Sequence, residues 1–359
     1  MATGDQDKSN ELAEAVKTAV KNRARLTITG GGTKRFYAGD VEGDALDVTG
    51  HRGIVTYEPT ELIVTARAGT TLRELEAALA EKGQMLAFEP PWFGEAATLG
   101  GTIACGFSGP RRPYAGSARD FVLGTRIING RGEILHFGGE VMKNVAGYDV
   151  SRLMVGALGS LGVLLEVSLK VLPIPAKETT LWFEMPANKA IDVINALGAQ
   201  PLPLSAACHL GDKLYIRLSG SELGVQAARD KLNGKTLDKG NDFWHDIREH
   251  RSRFFQDAAP LWRLSVPPAT PAINLPGKWL HDWGGAQRWL KSEAPAKEIQ
   301  EKAESVDGYA TLFRRSSRHG AQFHPLPKQL SELHRNLKRA FDPDGTLNRE
   351  LFSPVQSAA

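Results

Sequence analysis

The pattern of apolar and polar positions predicts short strands that alternate with amphipathic helices in the first half of the chain. Residues 25–29 and 62–67 have the composition of strands. A helix is predicted directly after the second strand, because Thr71 and Glu74 have the spacing of a capping box. The last strand of this half covers residues 163–172 and ends at a proline-containing segment, so we expect a domain boundary there.

The second half of the chain has a different pattern. We therefore predict two domains, residues 1–175 and residues 176–359, the second with a C-terminal segment that returns toward the first. The order strand, helix, hairpin and helix over residues 181–232 is typical of a split βαβ unit of the ferredoxin-like type. The following region repeats this order less clearly, with a tryptophan-bearing helix near residues 279–290, and predicts a second α+β half.

The composition is that of a globular protein and excludes several classes of function. Of 359 residues, 42% are hydrophobic and 24% are charged, and the formal net charge of +3 is far from the basic field of a nucleic-acid-binding protein. The uncharged apolar run at residues 153–165 is too short to span a bilayer. Because the first ten residues lack the apolar core of a secretory signal, we expect a cytoplasmic protein.

Three consecutive glycines follow the first predicted strand. Gly30, Gly31 and Gly32 allow successive backbone N–H groups to point into one concavity, which suits phosphate oxygens; a simple tight turn is the alternative. A Rossmann fingerprint is excluded, because Arg35 stands where its third glycine is needed. A Walker A loop is excluded too, because Thr33 rather than lysine follows Gly32.

Two further segments rich in small residues follow. Residues 98–109 form a second loop, preceded by a stiff aromatic corner at residues 89–93 that is suited to a flat ring system or to core packing. Residues 156–162 form a third segment with glycines near a predicted strand, where close helix packing is the alternative.

In this order the three segments resemble the FAD-binding domain of the vanillyl-alcohol oxidase (PCMH-type) flavoprotein family, over most of residues 20–175. The resemblance implies an α+β fold, in which a PCMH-type FAD-binding domain precedes a smaller α+β, ferredoxin-like cap domain. It also implies that mainly backbone groups hold the FAD. The residues that take this role by resemblance are Gly30, Gly31, Gly32, Thr33, Lys34, Pro91, Thr98, Gly100, Gly101, Thr102, Gly106, Gly109, Ser117, Asp120, Gly159, Ser160, Gly162 and Val163.

Many members of that family attach FAD covalently through a histidine or a cysteine. No histidine lies within residues 1–50, which excludes attachment through the first glycine loop. Cys105 lies in the second segment, where a small buried cysteine is the alternative role. We therefore predict noncovalent FAD.

Further stretches resemble the FAD-binding subunits of bacterial glycolate oxidase: residues 141–148 (VMKNVAGY), 149–154, 323–325 and 341–348 (FDPDGTLN). This resemblance implies a complex of two related flavin subunits and an iron–sulfur subunit, which oxidises glycolate and passes electrons toward the membrane quinone pool. Two cysteines cannot supply the four thiolates of a cluster, so the cluster is expected on the partner. The chain is expected to be cytoplasmic or peripheral at the inner face of the cytoplasmic membrane, through its partners only.

Oxidation of a 2-hydroxy acid at a flavin requires a cation for the carboxylate and a base for the hydroxyl proton. The weak candidates are Arg314, Arg318, His319 and His324, and a solvated basic strand end is the alternative. Several related dehydrogenases carry a metal-binding stretch H-x-G-D-G-N-x-H. This sequence lacks it, and we predict no metal site.

Three functions remain open from the sequence. The first is an FAD-binding subunit of a multi-subunit glycolate oxidase, with the principal oxidation on its sister flavin subunit. The second is an autonomous FAD-dependent D-2-hydroxy-acid dehydrogenase, whose flavin glycolate or D-lactate would bleach. The third is a non-catalytic, flavin-free scaffold, against which the intact glycine segments argue.

Overall fold

The computed structural model describes residues 6–38, 42–139, 149–315 and 323–348. The chain folds into two compact units. Unit 1 comprises Met1–Ser108, Gly116–Ile174 and Leu326–Ala359, and unit 2 comprises Gly109–Ala115 and Pro175–Pro325. The first and the last residues that the structure describes thus belong to the same unit.

Helices and strands alternate along both units. The helices are α1 (Ser9–Asn22), α2 (Arg35–Ala38), α3 (Leu72–Ala80), α4 (Leu99–Cys105), α5 (Arg112–Ala115), α6 (Ala118–Phe121), α7 (Val150–Leu153), α8 (Ala187–Gly198), α9 (Glu222–Leu232), α10 (Gly240–Arg248), α11 (Ala296–Glu304) and α12 (Lys328–Phe341), with short 3-10 helices at Arg253–Gln256 and Trp283–Gly285. The strands are β1 (Leu26–Thr29), β2 (Asp44–Asp47), β3 (Ile54–Glu58), β4 (Ile63–Arg67), β5 (Gln84–Met85), β6 (Val122–Ile128), β7 (Ile134–Gly138), β8 (Val163–Lys170), β9 (Leu172–Pro173), β10 (Lys177–Glu184), β11 (Leu204–Leu210), β12 (Lys213–Gly220), β13 (Lys235–Thr236), β14 (Leu261–Ser265), β15 (Lys278–Asp282), β16 (Gln287–Lys291) and β17 (Tyr309–Arg314).

Unit 1 is built on a five-stranded antiparallel sheet with the order β3-β4-β8-β6-β7 and a separate parallel pair of β1 and β2. Every residue of β4 is buried, as expected for an inner strand covered on both faces. The predicted capping box is confirmed at α3: the Glu74 N–H donates to Thr71 Oγ1 over 3.2 Å, and the Thr71 N–H donates to Glu74 Oε2 over 3.1 Å. This cap fixes where the chain turns from β4 toward the glycine segments.

Unit 2 contains one eight-stranded sheet with the order β13-β10-β12-β11-β15-β16-β14-β17. The first four strands, with α8 and α9 between them, form the predicted ferredoxin-like unit. The last four strands repeat its order, since β17-β14-β16-β15 corresponds to β13-β10-β12-β11. Unit 2 thus contains a second α+β half, and β11 and β15 pair where the two halves meet.

Two sequence expectations about local structure were wrong. The tryptophan-bearing helix near residues 279–290 is the hairpin of β15 and β16, which turns at Gly284 and Gly285 with φ of +67° and +95°. Two adjacent glycines favour such a turn and disfavour a helix, whereas the tryptophan spacing alone suits either. The second glycine segment is also not a loop at its start, because residues 99–105 form α4.

Unit 2 should lose stability in acid because it buries neutral histidines. Burial and the nearby Arg288 lower the pKa of His281 from 6.5 to about 3. Between these pH values the unfolded chain binds a proton that the folded chain does not. The free energy of unfolding should therefore fall by about 1.4 kcal/mol per pH unit for this residue as the pH drops below 6.5.

Urea unfolding at several pH values between about 7.5 and 4.5 measures this slope. His281→Phe, which keeps an aromatic ring beside Trp279 but cannot be protonated, should show a shallower slope than the wild type. An identical slope would contradict the assignment of this proton to His281.

Candidate functional site

The first and second glycine segments pack directly against each other in unit 1. A Cβ added at Gly30 would lie 2.7 Å from Thr98 Oγ1, and one at Gly31 would lie 1.5 Å from the Ala96 carbonyl oxygen. The buried Lys34 donates from Nζ to the Trp92 carbonyl over 3.2 Å. The loop after β1 is therefore fixed on the chain that leads into α4.

The third glycine segment is hydrogen-bonded to α4. The Gly156 N–H donates to the Ile103 carbonyl over 3.0 Å, and the Leu158 N–H donates to the Ala104 carbonyl over 2.9 Å. Thr98 caps the other end of α4, where its Oγ1 accepts from the Gly101 N–H over 3.2 Å. The structure thus brings together three segments that are far apart in sequence.

Each of these segments leaves one glycine with space beside its backbone. A Cβ at Gly156 would meet nothing within 4 Å, and one at Gly32 would meet only Arg35 Cδ at 3.7 Å. At Gly101 it would meet only Thr98 Oγ1, at 3.2 Å. Backbone without side-chain obstruction permits the close approach of phosphate oxygens, so the residues present fit the pyrophosphate of a dinucleotide.

A cluster of aromatic rings lies beside the glycine segments. The ring of Phe93 packs edge-on against Phe36 at 5.6 Å and against Phe107 at 6.2 Å, and Phe107 packs against Tyr37 at 4.8 Å between centroids. Phe93 also has a φ of +54°, which is costly for a residue with a side chain. Of these four rings, only that of Phe93 belongs to the aromatic corner predicted from the sequence. The other three could have been found in the sequence only because they lie within or next to the glycine segments.

Several other predicted cofactor residues have local structural partners. Ser117 and Asp120 cap α6, because the N–H of Ser117 and its hydroxyl both donate to Asp120 Oδ2 over 2.8 Å. The Ser160 hydroxyl donates to the Ala157 carbonyl over 2.7 Å, and Val163 is fully buried at the start of β8. These contacts give each of the four residues a structural role that does not require a cofactor.

The remaining predicted cofactor residues divide between the two units. In unit 1, Gly100 approaches Ala68, where an added Cβ would lie 2.7 Å from that of Ala68, and Gly106 ends α4 with a φ of +65°. Gly109 belongs to unit 2, where its carbonyl accepts from Trp283 Nε1 over 3.0 Å. The others lie in unit 1: Thr33 in the first loop, Pro91 buried in the aromatic corner, Thr102 buried in α4, and Gly162 packed on Ile127 of β6.

The two described catalytic candidates lie at opposite ends of β17 in unit 2. His324 accepts from the Ala310 N–H at Nδ1 over 3.3 Å and lies 3.0 Å from Glu304 through Nε2. Arg314 ends the strand, about 16 Å from its first residue at about 3.3 Å per residue. The structure therefore does not bring these two side chains together. Arg318, His319 and the stretch 141–148 lie outside the described residues.

Arg314 lies near a buried histidine. Burial lowers the pKa of His250 well below its usual value, and the charges of Arg314, Arg263 and Lys291 lower it further. The His250 ring stacks on Phe255 at 3.9 Å between centroids. A neutral histidine inside an aromatic shell is suited to core packing, and burial also lowers the pKa of Arg314.

The described part of the chain contains neither a group of metal ligands nor a membrane-spanning helix. Within residues 6–38, 42–139, 149–315 and 323–348, no three His, Cys, Asp or Glu side chains are grouped so that they could hold a metal ion. In the same ranges, no helix has the length and apolar character needed to cross a membrane.

Comparisons with known proteins agree on a flavoprotein relationship. A family described as an FAD binding domain matches residues 7–138. The glycolate oxidase subunit GlcE of Escherichia coli strain K12 is 50% identical over 342 residues, which are 95% of this chain and 96% of that protein. A D-lactate dehydrogenase of Anaerostipes hadrus is 33% identical over 177 residues, but this match spans only 36% of the dehydrogenase and 48% of this chain.

A likeness of fold is also found with a protein of low sequence identity. A solved alkyldihydroxyacetonephosphate synthase superposes with a TM-score of 0.68 at 15% identity, over 97% of this chain and 75% of the synthase chain. Together with the matched FAD-binding family, this confirms the predicted fold class, an α+β protein with a PCMH-type FAD-binding domain followed by a smaller α+β domain.

Proposed function

The chain belongs to the family of the glycolate oxidase subunit GlcE, and from this premise we propose that it holds FAD noncovalently on the three glycine segments of unit 1, as one flavin subunit of the complex. The predictions of FAD as the cofactor and of an FAD-dependent oxidoreductase subunit of glycolate oxidase are confirmed by this relationship and by the matched FAD-binding family. Membership of such an enzyme also implies a multi-subunit assembly.

One observation supports the location of the cofactor above the others. Three segments separated in sequence meet at α4. Each has one glycine whose backbone few other atoms approach, namely Gly32, Gly101 or Gly156. In this proposal the N–H groups of the first loop bind the pyrophosphate, and its oxygens approach the glycine backbone of α4, whose own N–H groups at Leu99, Gly100 and Gly101 donate within the protein. Lys34 holds the first loop in place through its bond to the Trp92 carbonyl and contributes positive charge beside the phosphates.

The residues of unit 2 support a division of labour within the complex. The chemistry that FAD supplies when bound is the two-electron oxidation of the substrate. This oxidation requires a cation and a base. Among the described residues the candidates are Arg314 and His324, which lie at opposite ends of β17. We therefore propose that the sister flavin subunit carries out the principal oxidation of glycolate and that this chain takes part in electron transfer.

The two cysteines bear on where an iron–sulfur cluster of the proposed complex would lie. Cys208 is fully buried in β11 and Cys105 is half-buried in α4, and the sequence contains no others. Because a cluster needs four ligands, mostly thiolates, it belongs to another subunit in this proposal. Any association with the inner face of the cytoplasmic membrane would then occur through such partners.

The purified chain tests the proposal through its absorbance spectrum. We expect the yellow spectrum of a flavoprotein, with all flavin released into the supernatant by acid precipitation. Anaerobic glycolate should leave the flavin of the isolated chain oxidised and should bleach it only when the sister subunit is added. Flavin retained on the acid precipitate would contradict noncovalent binding, and a colourless protein that takes up no added FAD would contradict the proposed site.

The autonomous dehydrogenase is the second candidate, because the chain also resembles a protein named D-lactate dehydrogenase over 177 residues. The same titration separates the two functions. Full bleaching of the isolated chain by glycolate or D-lactate would favour autonomous oxidation by this chain.

A further inference from the structure

The segment Asp342–Asn348 of unit 1 has a built-in turn that is buried against the sheet. Asp342 is 1% exposed, and its carboxylate accepts from the Thr346 N–H over 2.9 Å, the Leu347 N–H over 2.8 Å and Lys338 Nζ over 2.6 Å. Gly345 has a φ of +64°, which the turn requires. A carboxylate with this many donors holds the backbone of the segment in one conformation.

This segment pairs with β1, the strand that leads into the first glycine loop. The Leu26 N–H donates to the Thr346 carbonyl over 2.8 Å, and the Asn348 N–H donates to the Leu26 carbonyl over 3.0 Å. Leu347 is fully buried in a core cluster that also contains Leu26 and Val163. The last described residues of the chain are therefore part of the structure around the first loop.

The side chain of Asn348 links two of the three glycine segments. Its Oδ1 accepts from the Ile28 N–H over 2.9 Å, and its Nδ2 donates to the Leu158 carbonyl over 2.7 Å. Ile28 lies just before Gly30, and Leu158 immediately precedes Gly159, where an added Cβ would lie 2.8 Å from Asn348 Nδ2. Asn348 is only 6% exposed, so both bonds are shielded from water.

With this link the three segments form a closed ring of contacts. The first loop packs on residues 96–98, α4 binds the third segment through Ile103 and Ala104, and Asn348 joins the third segment back to β1. We infer that Asn348 is a positioning residue for FAD, which sets the spacing between the first and third glycine segments without touching the cofactor. This inference rests on the proposed function.

Two substitutions separate the link from the general stability of the segment. Asn348→Asp keeps an acceptor for Ile28 but removes the donor to Leu158 and places a carboxylate against that carbonyl. Asn348→Gly removes both bonds and still suits the backbone, whose φ is +37°. We expect each to raise the Kd for FAD about tenfold, the effect of losing one to two buried hydrogen bonds from the prearranged site.

Ser168→Ala is the matched control, because it removes one buried hydrogen bond of 2.8 Å, to Thr65, elsewhere in the same unit. FAD titration by fluorescence gives the Kd of each full-length apoprotein, urea unfolding without FAD gives its stability, and visible circular dichroism at saturating FAD reports the flavin environment. We expect the control to bind FAD with a Kd close to that of the wild type, whatever its stability.

Failure of this inference can be distinguished from failure of the proposed function. Weak FAD binding and altered dichroism in both Asn348 variants, with normal binding by Ser168→Ala, support the inference. Normal Kd values in both Asn348 variants overturn it, as does a loss of affinity in Ser168→Ala that matches theirs. If Asn348→Gly does not fold, Asn348→Asp decides alone. Failure of the wild type to bind FAD would instead contradict the proposed site itself.

Discussion

Replacing Gly101 with valine should remove FAD from the protein while leaving the fold intact. A Cβ at this position meets only Thr98 Oγ1, at 3.2 Å, so a shift of that hydroxyl by a few tenths of an ångström accommodates the first carbon of a side chain. In the proposed site, the added methyl groups would instead occupy the space beside α4 that the phosphate oxygens would take. We expect an increase of about a hundredfold or more in the Kd for FAD, equivalent to about 3 kcal/mol.

The measurement is a titration of the apoprotein with FAD, together with circular dichroism and urea unfolding. Gly101→Ala should show a smaller loss, because it adds a single carbon atom. Ala77→Val, which places the same β-branched residue on the exposed face of α3, controls for the cost of valine in a helix and should bind FAD normally. Full occupancy of the Gly101→Val protein with FAD would count against the site.

Replacing Gly31 with alanine should have the opposite signature, a loss of folding rather than of affinity alone. Its Cβ would lie 1.5 Å from the Ala96 carbonyl oxygen and 2.5 Å from the carbonyl carbon. Backbone atoms cannot rotate away as a flexible side chain can, so the first loop must separate from the chain ahead of α4. We expect a loss of more than about 4 kcal/mol of unfolding free energy, or no folded protein.

Soluble yield and urea unfolding of the apoprotein measure this loss. Gly156→Ala is the control, because its Cβ meets nothing within 4 Å and it carries only the strain of alanine at a φ of +83°. That strain should cost about 1 kcal/mol. Equal stability of the two alanine variants would show that the close contact at Gly31 is relieved by a simple shift.

Features that depend on neighbouring residues were predictable from the sequence. The capping box at Thr71 and Glu74 needs only the right local spacing, and β1 with its glycine loop needs only a change of composition. The start of the second glycine segment was harder, because the glycines of α4 have low helix propensity. The cap at Thr98 and the contact of Gly100 with Ala68 outweigh that propensity.

Features that depend on distant residues were not predictable in the same way. Ile28 and Asn348 are 320 positions apart, and no local pattern predicts that their backbone and side chain meet. The spacing of Trp279 and Trp283 fits a helix or a strand, and the pairing of β15 with β16 decides between them. Nor does the sequence place Arg314 and His324 at opposite ends of one strand.

The parallel contact between Leu26 and Leu347 has a consequence for the synthesis of the protein. A ribosome adds Asn348 320 residues after Ile28 of β1, and it holds the most recently added residues in its exit tunnel. The strand that precedes the first glycine loop can therefore pair with β2 early, but it gains its contacts with residues 342–348 only after these have left the tunnel. Native contacts of such high sequence separation form late and slowly. The proposed site for FAD would then be complete only after residues 342–348 have folded onto β1.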